Sequence, residues 1–152
     1  MTIIARRARL SDVMEIIALL LEDELGKARE SGVEQLDQRY IEAFHKIDND
    51  PNQYLMVVED GNEIVGTCHL TIMPSLTFIG STRMQIEAVR VAAKHRGQKI
   101  GQWMFEQAIE YARQKDAAIV QLTTNKKRLR AQHFYEQLGF KVSHEGMKLY
   151  LR

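Results

Sequence analysis

Apolar positions along the chain change their period several times, and each change marks an element. Thr2 to Ala8 reads as a first strand. Ser11 is placed to cap a helix with Asp12 in its first turn, because Val13, Ile16, Ile17 and Leu20 follow at helical spacing. The polar stretch from Glu22 to Asp37, with Gly26 and Gly32, reads as a loop or broken helix. Tyr40, Phe44 and Ile47 mark a second helix, stopped by Asn49-Asp50-Pro51. Two β-rich runs, Tyr54–Val58 and Ile64–Met73, flank Asp60-Gly61-Asn62 and predict a hairpin. After a connection from Leu76 to Ser81, a further strand runs from Arg83 or Met84 to Val91.

Beyond residue 91 the period becomes helical. Ile100, Trp103, Met104, Ala108, Tyr111 and Ala112 share one face. Ala117 to Leu122 carries no charge, as expected of a strand buried inside a sheet. Arg130 to Leu138 reads as a short helix, closed by Gly139 in the positive-φ role that ends helices. Val142 and the segment Met147–Leu151, separated by a turn near Glu145-Gly146, are expected to complete the sheet. The order β-α-α-β-β-β-α-β-α-β-β predicts a single α+β domain over residues 1–152.

Composition narrows the class. The chain is 45% hydrophobic and 27% charged with two prolines, which suits a globular core rather than a disordered segment. Its longest apolar run, Ile16–Leu21, is far short of a membrane span. The amino terminus shows no secretory pattern, so a cytoplasmic domain with no membrane partner is expected. A single cysteine, Cys68, cannot form an internal disulfide, and no ligand spacing calls for a metal.

The net charge of +1 conceals an asymmetry. Residues 1–76 hold 7 Lys/Arg against 14 Asp/Glu, whereas residues 77–152 hold 14 against 6. The basic residues form two windows free of carboxylates: Arg90, Lys94, His95, Arg96 and Lys99, then Lys126, Lys127, Arg128 and Arg130. They read either as an anion site or as two solvated surfaces. Arg96-Gly97-Gln98-Lys99-Ile100-Gly101 sits between a predicted strand and a predicted helix. Amides at a helix start lack intrahelical partners and carry partial positive charge, and glycine lets an anion approach the backbone. Neither the Walker loop nor the dinucleotide glycine pattern is present.

The segment Arg96–Gly101, reading RGQKIG, resembles the pyrophosphate loop RGxGIG of the GCN5-related N-acetyltransferases (GNAT family), with Lys99 in place of a glycine. The stretch from Asn125 through Ala131 to Phe134-Tyr135-Glu136-Gln137-Leu138-Gly139-Phe140 resembles the late N…A…FYExLGF segment of the same family. The resemblance covers essentially the whole chain and implies the GNAT fold, a mixed central sheet flanked by helices in three layers. It implies acetyl-CoA as co-substrate and direct acetyl transfer to a primary amine.

Under that resemblance, Arg96, Gly97, Gln98, Lys99, Ile100 and Gly101 hold the pyrophosphate. Val89, Arg90 and Val91 offer a strand edge to the pantetheine arm where β-strands splay, facing Gln121–Thr123. A main-chain N–H near Val89 polarises the thioester carbonyl. Asn125 hydrogen-bonds the cofactor or caps the next helix, and Lys126, Lys127 and Arg130 are available to the 3′-phosphate. Tyr135 is the general acid. Glu87 is the base, acting directly or through water, or else a solvent-facing carboxylate; His69, His133 and His144 are further candidate bases. Cys68 reads as a small buried apolar residue rather than a nucleophile. Glu22, Asp23 and Glu24 form an acidic rim suited to a small cationic amine, or a solvated helix end. The alternative reading is a transcription-associated regulator of the same fold with little turnover. The Lys126–Arg130 cluster is short and without a helix-turn-helix, so nucleic acid is not an expected partner. Pairing of the alternating 64–91 hairpins between subunits predicts a homodimer.

Overall fold

The computed structural model describes residues 2–22 and 36–152. Its sheet holds β1 (Ile3–Arg7), β2 (Gln53–Asp60), β3 (Glu63–Met73), β4 (Thr82–Val91) and β5 (Ala117–Leu122) in chain order. Neighbours are antiparallel from β1 to β4, and β4 pairs with β5 in parallel. A parallel pair needs a crossover, and α3 (Ile100–Gln114) supplies it. Helices α1 (Val13–Leu20) and α2 (Gln38–Asp48) precede β2, and α4 (Leu129–Gln137) follows β5.

Strand alternation builds the three layers. On β2, Met56 and Val58 point toward Ile100, Met104, Phe105 and Ala108 of α3. Val57, between them, points the other way, into the cluster with Ile16, Ile17 and Phe44 of α1 and α2. The α+β fold, its mixed sheet and its flanking helices are therefore as expected.

Four expectations need correction. Ser11 does not cap α1: a 3-10 turn, Leu10–Asp12, precedes it, and the Asp12 carboxylate accepts the Arg9 N–H at 2.7 Å instead. The last two strands do not form. Residues 141–152 are exposed and without regular structure, because a strand exists only beside a ladder partner and this segment does not run along β5. Strand β5 has no buried residue despite its uncharged sequence. Finally, β3 lies between β2 and β4, and β4 pairs with β5 as far as Ile86, so the 64–91 hairpin offers a second subunit only the short Glu87–Val91 edge. The expected loop at Glu22–Asp37 falls mostly outside the described residues. Among the described residues, no helix is long and apolar enough to cross a membrane.

The first strand is tied down electrostatically. Arg6 donates to Asp12 at 2.8 and 3.0 Å and to Glu59 at 2.9 Å, joining β1, the 3-10 turn and β2. The Arg6 hydrogen bonds hold the Asp12 carboxyl below the usual carboxylate range, against the opposing effect of burial. Asp12→Ala leaves a largely buried guanidinium with Glu59 and the Arg7 carbonyl as its partners, and is expected to cost about 3 kcal/mol in urea unfolding. Because the folded-state pKa is the lower one, this stabilisation is complete above the unfolded carboxyl value near 3.8 and is lost as pH falls through the folded value.

Candidate functional site

Strand β4 contains the irregularity on which the site is built. Its register with β3 shifts between Thr67↔Arg90 and His69↔Glu87, so Ala88 and Val89 oppose Cys68 alone. Ala88 takes φ +53°, the left-handed conformation of a bulge residue. On the other side, pairing with β5 runs from Thr82↔Ala117 only as far as Ile86↔Leu122. Gln121 Nε2 donates to Gln85 Oε1 at 2.9 Å just before the strands part. The split thus opens after Ile86, and Glu87–Val91 present an edge toward β5 without a ladder partner. Gln121 and Leu122 pair with Gln85 and Ile86, so they do not face Val89–Val91 as expected.

The anion loop lies directly beyond this edge. Ala93–His95 form a 3-10 turn, and Arg96, Gly97, Gln98 and Lys99 are all exposed. Gly97 has φ +82° with open space where a Cβ would stand. Lys99 is the N-cap of α3 at φ +62°, ψ +19°, and no side chain caps the helix start. The residue that departs from the glycine pattern therefore occupies a conformation glycine adopts freely. Ile100 is buried in the core, and Gly101 lets α3 approach Val91 and Phe134, 3.6 and 3.5 Å from where its Cβ would be. Within the first basic window, Lys94 and His95 are engaged by Glu63. Glu22 accepts from the Ala93 N–H at 3.2 Å, so it caps this turn, which qualifies its expected role on an acidic rim; Asp23 and Glu24 lie outside the described residues.

Tyr135 reaches the same place from α4. The helix ends in a Schellman turn: Gly139 at φ +103° donates to Glu136 O at 3.0 Å, and Phe140 donates to Tyr135 O at 3.1 Å. The turn folds Phe140 back over Tyr135, with ring centroids 6.1 Å apart. Phe105 of α3 contacts both, at 5.5 and 6.0 Å. Burial raises the Tyr135 phenol above its ordinary value, while the charges of Arg90 and Arg128 draw it down. The net rise keeps the phenol protonated. Asn125 Oδ1 accepts the Lys127 N–H at 2.9 Å, so its side chain shapes the turn before α4. Arg130 is exposed at the start of α4, next to Lys126 and Lys127.

On the α1 and α2 side of the sheet lies an apolar recess of about 160 Å³, lined by Ile16, Ile17, Tyr40, Phe44, Thr67, His69 and Ala88 among others. His69 is the functional candidate that the sequence left unplaced. It faces Glu87 across the β3–β4 ladder, a neighbour that only the register reveals. Gln53 Nε2 points at the Asp50 carboxylate, at 3.4 Å, so Gln53 Oε1 accepts from Thr71 at 2.9 Å and meets His69 Nε2 at 2.6 Å. Nε2 is then the donor, and Nδ1 of the neutral ring carries the free lone pair. Burial lowers the His69 pKa, opposed by Glu87. Glu87 itself is exposed rather than half-buried. His133 and His144 are exposed on α4 and in the carboxyl-terminal segment. Cys68 is buried, its thiol pushed up to about 12 by desolvation, which leaves it protonated and unreactive. Among the described residues, no group of three or more His, Cys, Asp or Glu side chains is placed to hold a metal.

Comparison with known proteins bears on the family and the fold. A sequence profile described as "Acetyltransferase (GNAT) family" matches residues 15–140. The aminoalkylphosphonate N-acetyltransferase of Salmonella typhimurium is 37% identical over 98 residues, covering 62% of this chain and 61% of that protein. The chain thus spans about three fifths of the length of the curated relatives it matches. A crystal structure of a transcriptional regulator from Bacillus halodurans C-125 superposes with TM-score 0.95 at 42% identity, covering 99% of this chain and 100% of that one. A predicted acetyltransferase from Clostridium acetobutylicum, solved with acetyl-CoA, shares the fold at TM-score 0.76 and 17% identity, covering 99% and 97%.

Lys99→Gly removes the left-handed strain of a side-chain-bearing residue. It is expected to stabilise the free protein by about 0.5–1 kcal/mol in chemical denaturation, the strain relief exceeding the entropy that glycine adds to the unfolded chain.

Proposed function

Because the chain belongs to the acetyltransferase (GNAT) family, we propose that it is an acetyl-CoA-dependent N-acetyltransferase acting on a small primary amine by direct transfer. The observation that carries the reading is the break in the sheet after Ile86, which leaves the Glu87–Val91 edge open just before a glycine-bearing basic turn. Val89, Arg90 and Val91 bind the pantetheine arm through main-chain groups. The turn Arg96, Gly97, Gln98, Lys99, Ile100 and Gly101 holds the pyrophosphate with its amides and the α3 dipole. Asn125 contributes its amide nitrogen, and Arg130 with Lys126 and Lys127 meets the 3′-phosphate. Acetyl-CoA supplies an activated acyl group. A reaction that draws on it belongs in the cytoplasm, where that thioester is held.

The acceptor lies on the recess side of β4. The apolar lining from α1 and α2 suits the carbon body of the amine, in place of the strongly cationic partner that an acidic rim implies. His69 Nδ1 takes the proton that the amine loses, and Glu87, across the ladder, stabilises the imidazolium so formed. The amine nitrogen bonds to the acetyl carbon as the carbon–sulfur bond breaks, and the Tyr135 hydroxyl gives its proton to the departing thiolate. An N–H near Val89 steadies the developing oxyanion. The buried Cys68 thiol takes no part, consistent with transfer without an acyl-enzyme.

Similarity at 42% identity to a protein solved as a transcriptional regulator favours a second reading: the same cofactor site with little turnover. A screen of amines, including aminoalkylphosphonates, with free thiol release as readout separates the two. Sustained release above the cofactor-only background is expected, and binding without release on every amine supports the regulator. Tyr135→Phe keeps the ring contacts with Phe105, Phe134 and Phe140 and is expected to lower kcat about 100-fold with cofactor affinity unchanged. By nuclear magnetic resonance, His69 is expected to titrate below its reference value of 6.5, so that kcat/KM rises with pH through that low value. His69→Gln is expected to erase that limb of the profile.

A further inference from the structure

We infer that the amine taken up beside His69 carries an oxyanion at the far end of its carbon chain, held by Arg83 and Gln85; this rests on the reading of the recess side of β4 as the acceptor's side. Met84 and Ile86 point into the core under α3, so Arg83, Gln85 and Glu87, which alternate with them, lie on the opposite face, toward α1 and α2. Thr71, between Leu70 and Ile72, and Gln121, between Val120 and Leu122, lie on that face by the same alternation. The registers then bring four uncharged polar residues into one row across four strands. Gln53 pairs with Thr71, Thr71 with Gln85, and Gln85 with Gln121. All four are half-buried.

Charge stands on either side of this row. Toward the recess, His69 pairs in register with Glu87; on the other side Arg83 pairs with Met73. Glu87 and Arg83 are about 13 Å apart along β4, with the amide row between them. The strip is therefore negative at one end and positive at the other. Within the row, Gln53 Oε1 is taken by Thr71 and His69, and Gln121 Nε2 donates to Gln85 Oε1. The Gln85 Nε2 group has no partner among the described residues. Arg83 is the least satisfied group of all. Its Nε is buried without a partner, and Nη2 reaches only Ser75 Oγ, at 3.4 Å. A desolvated guanidinium nitrogen left unpaired is costly, and an oxyanion is the partner that the arginine fork fits. These groups define the ligand. The amine sits at the His69–Glu87 end and the oxyanion over the Gln85 row, about 7 Å away, a spacing that suits a chain of about five carbons. Carboxylate and phosphonate share the oxygens that Arg83 and the Gln85 amide require.

The test is calorimetric binding of three amines to the full chain in the presence of coenzyme A, so that no turnover is needed. The amines are 5-aminopentanoate, 4-aminobutylphosphonate and 5-aminopentan-1-ol, the last an uncharged counterpart of the other two. At least one anionic amine is expected to bind about 10-fold or more tightly than the alcohol, and the stronger of the two identifies the oxyanion. Arg83→Gln is expected to weaken that amine about 30-fold while the alcohol is unchanged, and Arg83→Lys, which keeps the charge without the fork, to fall between. Equal affinity of all three amines for the wild-type chain overturns the proposal, as does no binding of any. A preference that survives Arg83→Gln overturns it too, and so does an equal loss of the alcohol, which makes Arg83 a tether of the Ser75 turn. Thiol release from acetyl-CoA is then read on the same amines. Selective binding without release removes the transfer reading and upholds this site, whereas release without selectivity upholds transfer and removes this site.

Discussion

The conformation of Ala88 is the constraint on which the remaining geometry depends. A regular β4 would continue its ladder with β5 through Val91, and the sheet would be closed where the site now lies. Placing two residues against Cys68 instead turns β4 away from β5, at a local cost of about 1–2 kcal/mol for a left-handed alanine. That cost is borne by the paired strands on either side, where Met84, Ile86 and Leu70 are fully buried. The bulge faces two ways. Toward β5 it leaves Glu87–Val91 without a ladder partner, and the Val89 carbonyl accepts from Arg90 Nη1 at 2.8 Å. Toward α1 and α2 it sets Ala88 into the lining of the apolar recess beside His69. One backbone irregularity thus borders both the open edge of β4 and the apolar recess.

The two basic windows then differ in function from the charges of the amino-terminal half. Arg6, Asp12 and Glu59 neutralise one another at hydrogen-bond distance and join β1 to β2. In the carboxyl-terminal half, Lys94 is balanced by Glu63, but Arg96 and Lys99 stand exposed before α3, and Lys126, Lys127 and Arg130 around the start of α4, neither helix having an acidic residue in its first turn. Exposed charge of one sign beside unpaired amides is what an incoming polyanion requires, and it contributes little to the fold.

Much of this was legible in the sequence because it depends on local chemistry. Ala117–Leu122 reads as a strand from its composition, and Gly139 as a helix stop from its position; the loop Arg96–Gly101 stands out through glycine and charge. The bulge did not, since an alanine at φ +53° has no sequence signature and is imposed by its neighbours' pairing. His69 escaped for a related reason: its value as a base rests on Gln53, 16 residues away, and on Glu87 across the ladder. The final two strands were misread in the opposite sense. Their alternation is correct for strands, but alternation gives a face and says nothing about which edge that face will find.

Departures from local rules are informative in where they fall. Among the described residues, five other than glycine have positive φ: Phe78, Ile79, Ala88, Lys99 and Asp116. Asp116 is of a type that tolerates this conformation, and it turns the chain into β5. Ala88 and Lys99 bracket the proposed cofactor edge, one opening the sheet and the other opening the helix start. Phe78 and Ile79 lie at the other end of β4, beside the point where β5 begins. Strain on an apolar, β-branched residue exposed to water stabilises nothing within a single chain, and it persists only where surrounding structure fixes it. The strained positions therefore gather at the two ends of β4: around the cleft after Ile86, and at the turns where β4 and β5 begin.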